Sequence, residues 1–336
     1  MGVSRPGPAA VLAVDAGNSK TDVALIGADG TVLGTGRSGG FQPPLVGVEP
    51  AVDVLGRAVA EAAEAAGLPR LRPGAPYAAQ VSACLANADL PVEERRLADA
   101  ISARGWGAAT EVRNDTFAIL RAGLPDSGPP RGIAVVCGAG INCVGMLPDG
   151  RTARFPAVGR ISGDWGGGGG LAEEALWWAA RAEDGRGGPT ELARALPGHF
   201  GLGSMYELIE SLHLGGAPRA RTHELVPVLF AVAAAGDPVA AAIVERQADE
   251  VVAMASVAMA RLDLLGEEAP VVLGGSVLAA GHPRLNGRIE AGLAERAPLA
   301  RMSVIVAPPV LGAGLLGLDA LDAPAGAREK LRAHFG

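Results

Sequence analysis

Apolar runs alternate with glycine-rich turns along this chain, and the clearest instance comes first. Val11, Leu12 and Val14 predict a strand that ends on Asp15, and Ala16 to Ser19 predict a small-residue turn closed by Lys20. Asp22 to Ile26 predicts a second strand, Asp29-Gly30 a hairpin turn, and Thr31 to Leu33 a third strand. The glycines from Gly34 to Pro44 read as a loop, and the Ala-rich stretch Val48 to Ala66 reads as a helix stopped by Gly67 and Pro69. A strand over Ala78 to Leu85, a helix over Pro91 to Arg104 and a strand over Ala109 to Arg113 follow. That strand leads into Asn114-Asp115 and a helix over Thr116 to Ala122.

The pattern then restarts. Ile133 to Cys137 predicts a strand, Gly138 to Gly140 a turn and Asn142 to Met146 a strand, before a Pro-Asp-Gly turn and one more strand. The two strand–turn–strand–turn–strand units lie about 120 residues apart. Chance recurrence of short hairpins is one account of this. The other is a duplicated unit whose two glycine turns hold a nucleotide's phosphates from both sides of a cleft. Further on, helices are expected over Leu171 to Arg181, Thr190 to Leu196 and Met205 to His213, and a long one opens at Asp237-Pro238 and runs to about Leu265. The stretch APVVLGGSVLAAG predicts a buried strand, a turn at Gly274-Gly275-Ser276 and a helix; an apolar helix in Pro308 to Leu321 and a short amphipathic one, Ala327 to His334, end the chain.

Composition narrows the picture. The chain has 336 residues, 49% of them hydrophobic and 4% aromatic, enough for two domains with cores of Ala, Val and Leu. A net charge of −7 argues against a nucleic-acid footprint. Cys84, Cys137 and Cys143 have neither disulfide-framework nor metal-site spacing, and the five histidines are scattered. MGVSRPGPAA carries no apolar signal core, and the longest apolar stretch, LVPVLFAVAAAG, is short and contains Pro227. A soluble, cytoplasmic protein is expected.

Charge usage points to chemistry. Lys20 is one of two lysines in a chain that otherwise relies on arginine, which marks a place for a compact point charge. The turn at Gly17, Asn18 and Ser19 leaves backbone N–H groups open to an anion, and it returns into a strand rather than a helix, unlike a Walker loop or a dinucleotide fingerprint. A solitary Asp15 suits Mg²⁺, which takes few carboxylates and completes its shell with water and phosphate oxygens. Asp115, at a strand end, can accept a proton from an attacking hydroxyl; a helix cap before Thr116 is the lesser alternative.

These residues resemble the sugar-kinase branch of the actin-like ATPase superfamily, and within it the N-acetylglucosamine kinases and the BadF/BadG/BcrA/BcrD-type ATPases. DAGNSKTD is similar to the first phosphate motif, VCGAGINC to the second, and VVLGGSVL to the adenosine motif. RND (Arg113 to Asp115) and GRISGDWGGGGG (Gly159 to Gly170) match the catalytic aspartate and the second sugar loop. The resemblance covers nearly the whole chain. It implies an α/β actin-like ATPase fold of two duplicated ribonuclease-H-like domains with an interdomain nucleotide and sugar cleft. The expected domains are 1–124 and 125–319, with 320–336 packing back on the first.

The implied activity is ATP-dependent phosphorylation of an amino sugar, best N-acetylglucosamine at its 6-hydroxyl, with glucosamine or N-acetylmuramic acid as other acceptors. Asp15 would organise Mg²⁺, Lys20 would sit near the transferring phosphate, and Asp115 would be the general base. Gly17, Asn18, Ser19, Lys20, Gly138, Ala139 and Gly140 would hold phosphates. Asn142, Asp164 and Gln42 would contact the sugar, and Gly274, Gly275 and Ser276 the adenosine. Each has a structural competitor: Asp164 can brace the glycine run, Asn142 can satisfy buried backbone, and Gly274-Gly275 can be a plain strand-to-helix turn. Ser82, Trp165, Trp177 and Trp178 read as packing residues.

Two departures from the family pattern stand out. The second phosphate turn has lost both hydroxyls of Gly-Thr-Gly-Ser, so its contacts must come from backbone N–H groups. The sugar loop has Trp165 where Gly-Asp-Glu-Gly-Ser carries glutamate. A partner-directed ATPase of the activator type would carry cluster-binding cysteines, an arrangement that Cys84, Cys137 and Cys143 do not form. A sugar-sensing repressor would need a DNA-binding domain, for which a first strand at Val11 leaves no room. A homodimer is compatible with the Ala- and Gly-rich surfaces.

Overall fold

The computed structural model describes residues 9–69, 72, 74–215 and 219–336; most of the N-terminal segment read for a signal core lies outside them. In chain order the elements begin β1 (Ala9–Ala16), β2 (Lys20–Ile26), β3 (Val32–Gly39), α1 (Pro43–Val46), α2 (Val48–Ala65), β4 (Ala78–Leu85), α3 (Pro91–Ser102), β5 (Gly107–Asn114) and α4 (Thr116–Gly123). They continue with β6 (Gly132–Cys137), β7 (Ile141–Met146), β8 (Thr152–Arg154), α5 (Gly167–Glu183), α6 (Leu192–His199), α7 (Met205–Leu214), α8 (Leu225–Ala234) and α9 (Pro238–Arg261). The last are β9 (Ala269–Gly274), α10 (Ser276–Ala279), α11 (Pro283–Arg296), β10 (Ala300–Val304), α12 (Pro309–Ala320) and α13 (Ala325–Phe335).

The first sheet runs β3-β2-β1-β4-β5, with β1 antiparallel to β2 and parallel to β4, and β4 parallel to β5. Read from its β8 edge, the second runs β8-β7-β6-β9-β10 and repeats that order strand for strand. The repeated sequence pattern is therefore a repeated topology. The chain divides into two compact units: 1–134, 144–156 and 305–336 form the first, and 135–143 with 157–304 the second.

In the first unit, Leu12, Val14, Val23 and Leu25 pack one face of the sheet against Val52, Leu55 and Val59 of α2. On the opposite face α12 lies on β1 so closely that a Cβ on Gly317 would come 2.4 Å from Val11 Cγ1. Burial on both faces explains why β1 is continuously apolar instead of alternating. Helix α13 is tied in by Arg332, which bonds Asp126 and the carbonyls of Ala122 and Leu124, and by Lys330 on Asp29.

Two expectations fail, both over glycine. The loop read over Gly34 to Pro44 is strand as far as Gly39. Its glycines serve packing: Cβ atoms on Gly34 and Gly36 would meet the Ala62 and Ala58 carbonyl oxygens of α2 at 2.3 and 2.1 Å. Gly167 to Gly170, read as part of a loop, form the first turn of α5. Among the described residues no single helix is long and apolar enough to cross a membrane.

Candidate active site

In the first unit the parallel strands β1, β4 and β5 bring their carboxyl ends to one edge, where open α/β sheets place their ligands. Asp15 lies near the end of β1, in register with Asp22 on one side and Cys84 on the other. Asp115 follows β5 directly and is anchored by its N–H on the Leu85 carbonyl at 3.2 Å. Asp15 is buried, and burial first, then the charges of Asp115 and Asp22, push its carboxyl up to about 8 against an opposing pull from Lys20. Burial likewise raises the half-buried Asp115 to about 6, partly offset by hydrogen bonds from Thr116. The helix-cap alternative for Asp115 meets a substitute: Asn114 Oδ1 accepts the Thr116 N–H at 2.9 Å, and Asn114 is itself held on Asp89.

The first turn is laced by side chains. Gly17 N–H donates to the Lys20 carbonyl at 2.9 Å, Gln42 Nε2 to the Asn18 carbonyl at 2.8 Å, and Asn87 Nδ2 to Asn18 Oδ1 at 2.9 Å. Gln42, expected on the sugar, is here bonded to the first turn. Asn18, Ser19 and Lys20 remain exposed. Lys20 Nζ bonds Asp22 at 2.8 Å, and Arg37 Nε bonds the other oxygen of that carboxylate. Burial favours a raised pKa at Asp22, but these two cations more than offset it and hold the carboxyl low.

The second turn is laced by backbone. Gly138 N–H donates to the Gly140 carbonyl, while the Gly138 and Ala139 carbonyls accept the N–H groups of Gly168 and Gly169 at 2.8 and 2.9 Å. The glycine run is what allows this: a Cβ on Gly167, at φ +69°, would sit 2.3 Å from the Gly140 carbonyl carbon. Gly275, at φ +86°, likewise approaches Cys137, where a Cβ would lie 2.4 Å from its carbonyl oxygen. Gly274, Gly275 and Ser276 therefore join the end of β9 to α10 beside the second turn.

Beside that turn is a cavity of about 280 Å³ lined by Ala139, Gly140, Arg160, Asp164, Trp165 and Glu173, among others. Asp164 Oδ2 accepts from the Gly159 N–H and the Ser162 hydroxyl, so the bracing role weighed for it is real, yet it also lines the cavity. Asn142 Oδ1 accepts the Cys143 N–H at 2.7 Å. Trp165 is buried with the Arg246 guanidinium 4.1 Å from its ring centroid, and Ser82 donates to the Ala313 carbonyl; both pack, as read.

Asp22, Arg37, Asn87 and Gln247 escaped the sequence reading. A charged residue at 22 inside an apolar strand, two residues from the lysine, was the available signal. For Gln247 it was a glutamine on the buried stripe of α9 with Ile243, Val244 and Val251. Groups of three or more His, Cys, Asp or Glu able to cage a metal do not occur among the described residues.

Known proteins resemble the chain in sequence and in fold. An N-acetylmuramic acid/N-acetylglucosamine kinase of Clostridium acetobutylicum is 26% identical over 193 residues, 57% of this chain and 62% of the relative; the chain thus spans less than two thirds of that relative's length. A candidate N-acetylglucosamine kinase of Chromobacterium violaceum, 24% identical, superposes with a TM-score of 0.70 over 93% of this chain and 100% of its own. A ROK family glucokinase of Streptomyces griseus, solved with glucose and AMPPNP, is 18% identical with a TM-score of 0.55 over 93% and 98%. At these identities the structural likeness establishes the fold. The family model of the BadF/BadG/BcrA/BcrD ATPases matches residues 12–316, and the chain belongs to that family.

Proposed function

We propose that the chain is an ATP-dependent kinase that phosphorylates the 6-hydroxyl of an amino sugar, N-acetylglucosamine being the first acceptor to test. The observation that carries this is the acidic pair Asp15 and Asp115 at the carboxyl ends of parallel strands, beside a turn closed by the exposed Lys20. Phosphoryl transfer needs little covalent help from a protein; it needs phosphate charge neutralised and an acceptor positioned.

Asp115, at about 6, is ionised at neutral pH and can take the hydroxyl proton as the oxygen attacks the γ-phosphorus. Asp15 fits a magnesium ligand: it is a buried carboxylate among like charges, which a cation would relieve. Bound there, Mg²⁺ supplies charge neutralisation for the nucleotide's phosphates. Lys20 reaches the transferring phosphate by exchanging its bond to Asp22. Gly17 to Ser19 and Gly138 to Gly140 offer backbone N–H groups to phosphate, Asn142 and Asp164 face sugar hydroxyls, and Gly274 to Ser276 face adenosine. Dependence on ATP suits a cytoplasmic enzyme.

A second acceptor, N-acetylmuramic acid, is favoured by Arg160 in the cavity and by the name of the Clostridium relative, since a guanidinium there can pair a carboxylate-bearing substituent. An activator-type ATPase is disfavoured by the burial of Cys84, Cys137 and Cys143, because a bridging cluster needs exposed thiolates. The test is ADP release with Mg-ATP across amino sugars, neutral hexoses and muramic sugars, with Asp115→Ala in parallel. Sugar-dependent release lost in the variant supports the reading; ATP hydrolysis indifferent to every sugar overturns it.

A further inference from the structure

Gln247 is fully buried in α9, yet both ends of its amide are engaged at the second turn. Its Oε1 accepts the Gly167 N–H at 2.9 Å, and its Nε2 lies 3.6 Å from Cys137 Sγ, a weak acceptor at the last residue of β6. A Cβ on Gly166 would sit 2.3 Å from Oε1, so no side chain can separate the amide from the start of α5. The next two N–H groups of that helix are the ones that hold the Gly138 and Ala139 carbonyls.

The consequence follows from peptide planarity. In a trans peptide the C=O and the following N–H point in opposite directions. Carbonyls of Gly138 and Ala139 aimed at α5 therefore turn the N–H groups of Ala139 and Gly140 to the other side. Those are donors a phosphate can use in a turn that has no hydroxyl to offer. The first turn of α5 thus sets the donor face, and Gln247 fixes that first turn.

We infer that Gln247 is a positioning residue for the second phosphate turn: it locks the start of α5 so that the Ala139 and Gly140 N–H groups stay aimed at the nucleotide. This rests on the kinase reading only in naming the ligand as a nucleotide phosphate. Asp164 to Gly166 lead directly into that helix start, so the proposed sugar loop and phosphate turn share one anchor.

The experiment compares wild type, Gln247→Met and Gln247→Glu in Mg-ADP affinity by calorimetry, in the ATP KM and kcat with the best acceptor, and in amide hydrogen exchange over 138–140 and 166–170. Methionine keeps the volume and removes the acceptor; glutamate keeps both. The expected result for Gln247→Met is a Mg-ADP affinity and an ATP KM worse by about tenfold, kcat within about threefold, and faster exchange in both segments. Gln247→Glu restores most of the affinity, which a purely volumetric role would not require. If Gln247→Met does not fold, Gln247→Asn, which withdraws the amide by one methylene, reads the same quantities. Equal Mg-ADP affinity in folded Met or Asn variants and wild type, within about twofold, overturns the inference, and so does equal loss in the Met and Glu variants. Wild type that binds Mg-ADP but phosphorylates no sugar overturns the kinase reading alone, because the affinity comparison needs no sugar.

Discussion

The turn at Gly17–Lys20 is held by the side chains of Gln42 and Asn87 and carries a lysine, whereas the turn at Gly138–Gly140 is held by main-chain bonds to α5 and carries no charge. Both occupy the same place in two copies of one topology. The two sheets share a strand order and differ in how the turn is held. In the proposed kinase, specificity for phosphate would come from a cation in the first copy and, in the second, from the direction of peptide dipoles, which no single side chain of the turn controls.

That contrast can be broken most forcefully at Lys20. Lys20→Met is expected to lower kcat by about 10²–10³-fold, the usual effect of removing one transition-state donor, while Ala139→Gly changes it by less than about threefold. Similar modest losses in both would mean that the first turn also works through its backbone. The next test is Gly167→Ala, where a positive φ and the approach to Gly140 combine. It should cost about 2–4 kcal/mol in chemical denaturation and raise the ATP KM. Gly40→Ala, whose Cβ would lie 2.1 Å from the Asn18 carbonyl oxygen without a positive φ, should cost less.

Protonation separates the copies further, since the raised carboxylates belong to the first. Asp15 has a native pKa near 8 against 3.8 for the free side chain, so the metal-free native state holds a proton that the unfolded state has lost across that interval. The contribution of Asp15 to the stability of the metal-free protein therefore falls as pH rises from about 4 to 8. Asp15→Asn should flatten this slope and raise the pH 8 melting temperature by about 2–4 °C while removing Mg²⁺-dependent turnover. Calorimetric scans without metal that show a slope unchanged in the variant would sink the assignment. For catalysis the base must be ionised, so kcat/KM should rise with pH through a limb near 6 that reports Asp115. The smallest expected effect is at Asn87, whose φ of 61° glycine can adopt: Asn87→Gly removes the bond to Asn18 and should raise the ATP KM about threefold.

The strands and turns that hold Asp15, Lys20 and Asp115 were legible because an apolar run ending in a lone charge has few structural meanings. Asp22 and Arg37 were not, since cross-strand register decides which charges on β2 and β3 meet. Glycine misled in two places where it serves packing. Gly34 and Gly36 admit the backbone of α2, and Gly167 to Gly170 admit the second turn, and sequence alone does not distinguish a glycine that bends a chain from one that makes room. Gln247 lies about 80 residues beyond its partner Gly167, a pairing that only tertiary structure reveals.

Lys20 has a practical meaning as well. The chain contains two lysines, both half exposed and each paired with a carboxylate, Lys330 with Asp29 and Lys20 with Asp22 beside the first turn. An amine-directed reagent thus meets two side-chain targets in 336 residues. Mass mapping of an adduct on Lys20 that ATP suppresses, with Lys330 as the internal reference, makes the chain its own gauge of nucleotide occupancy.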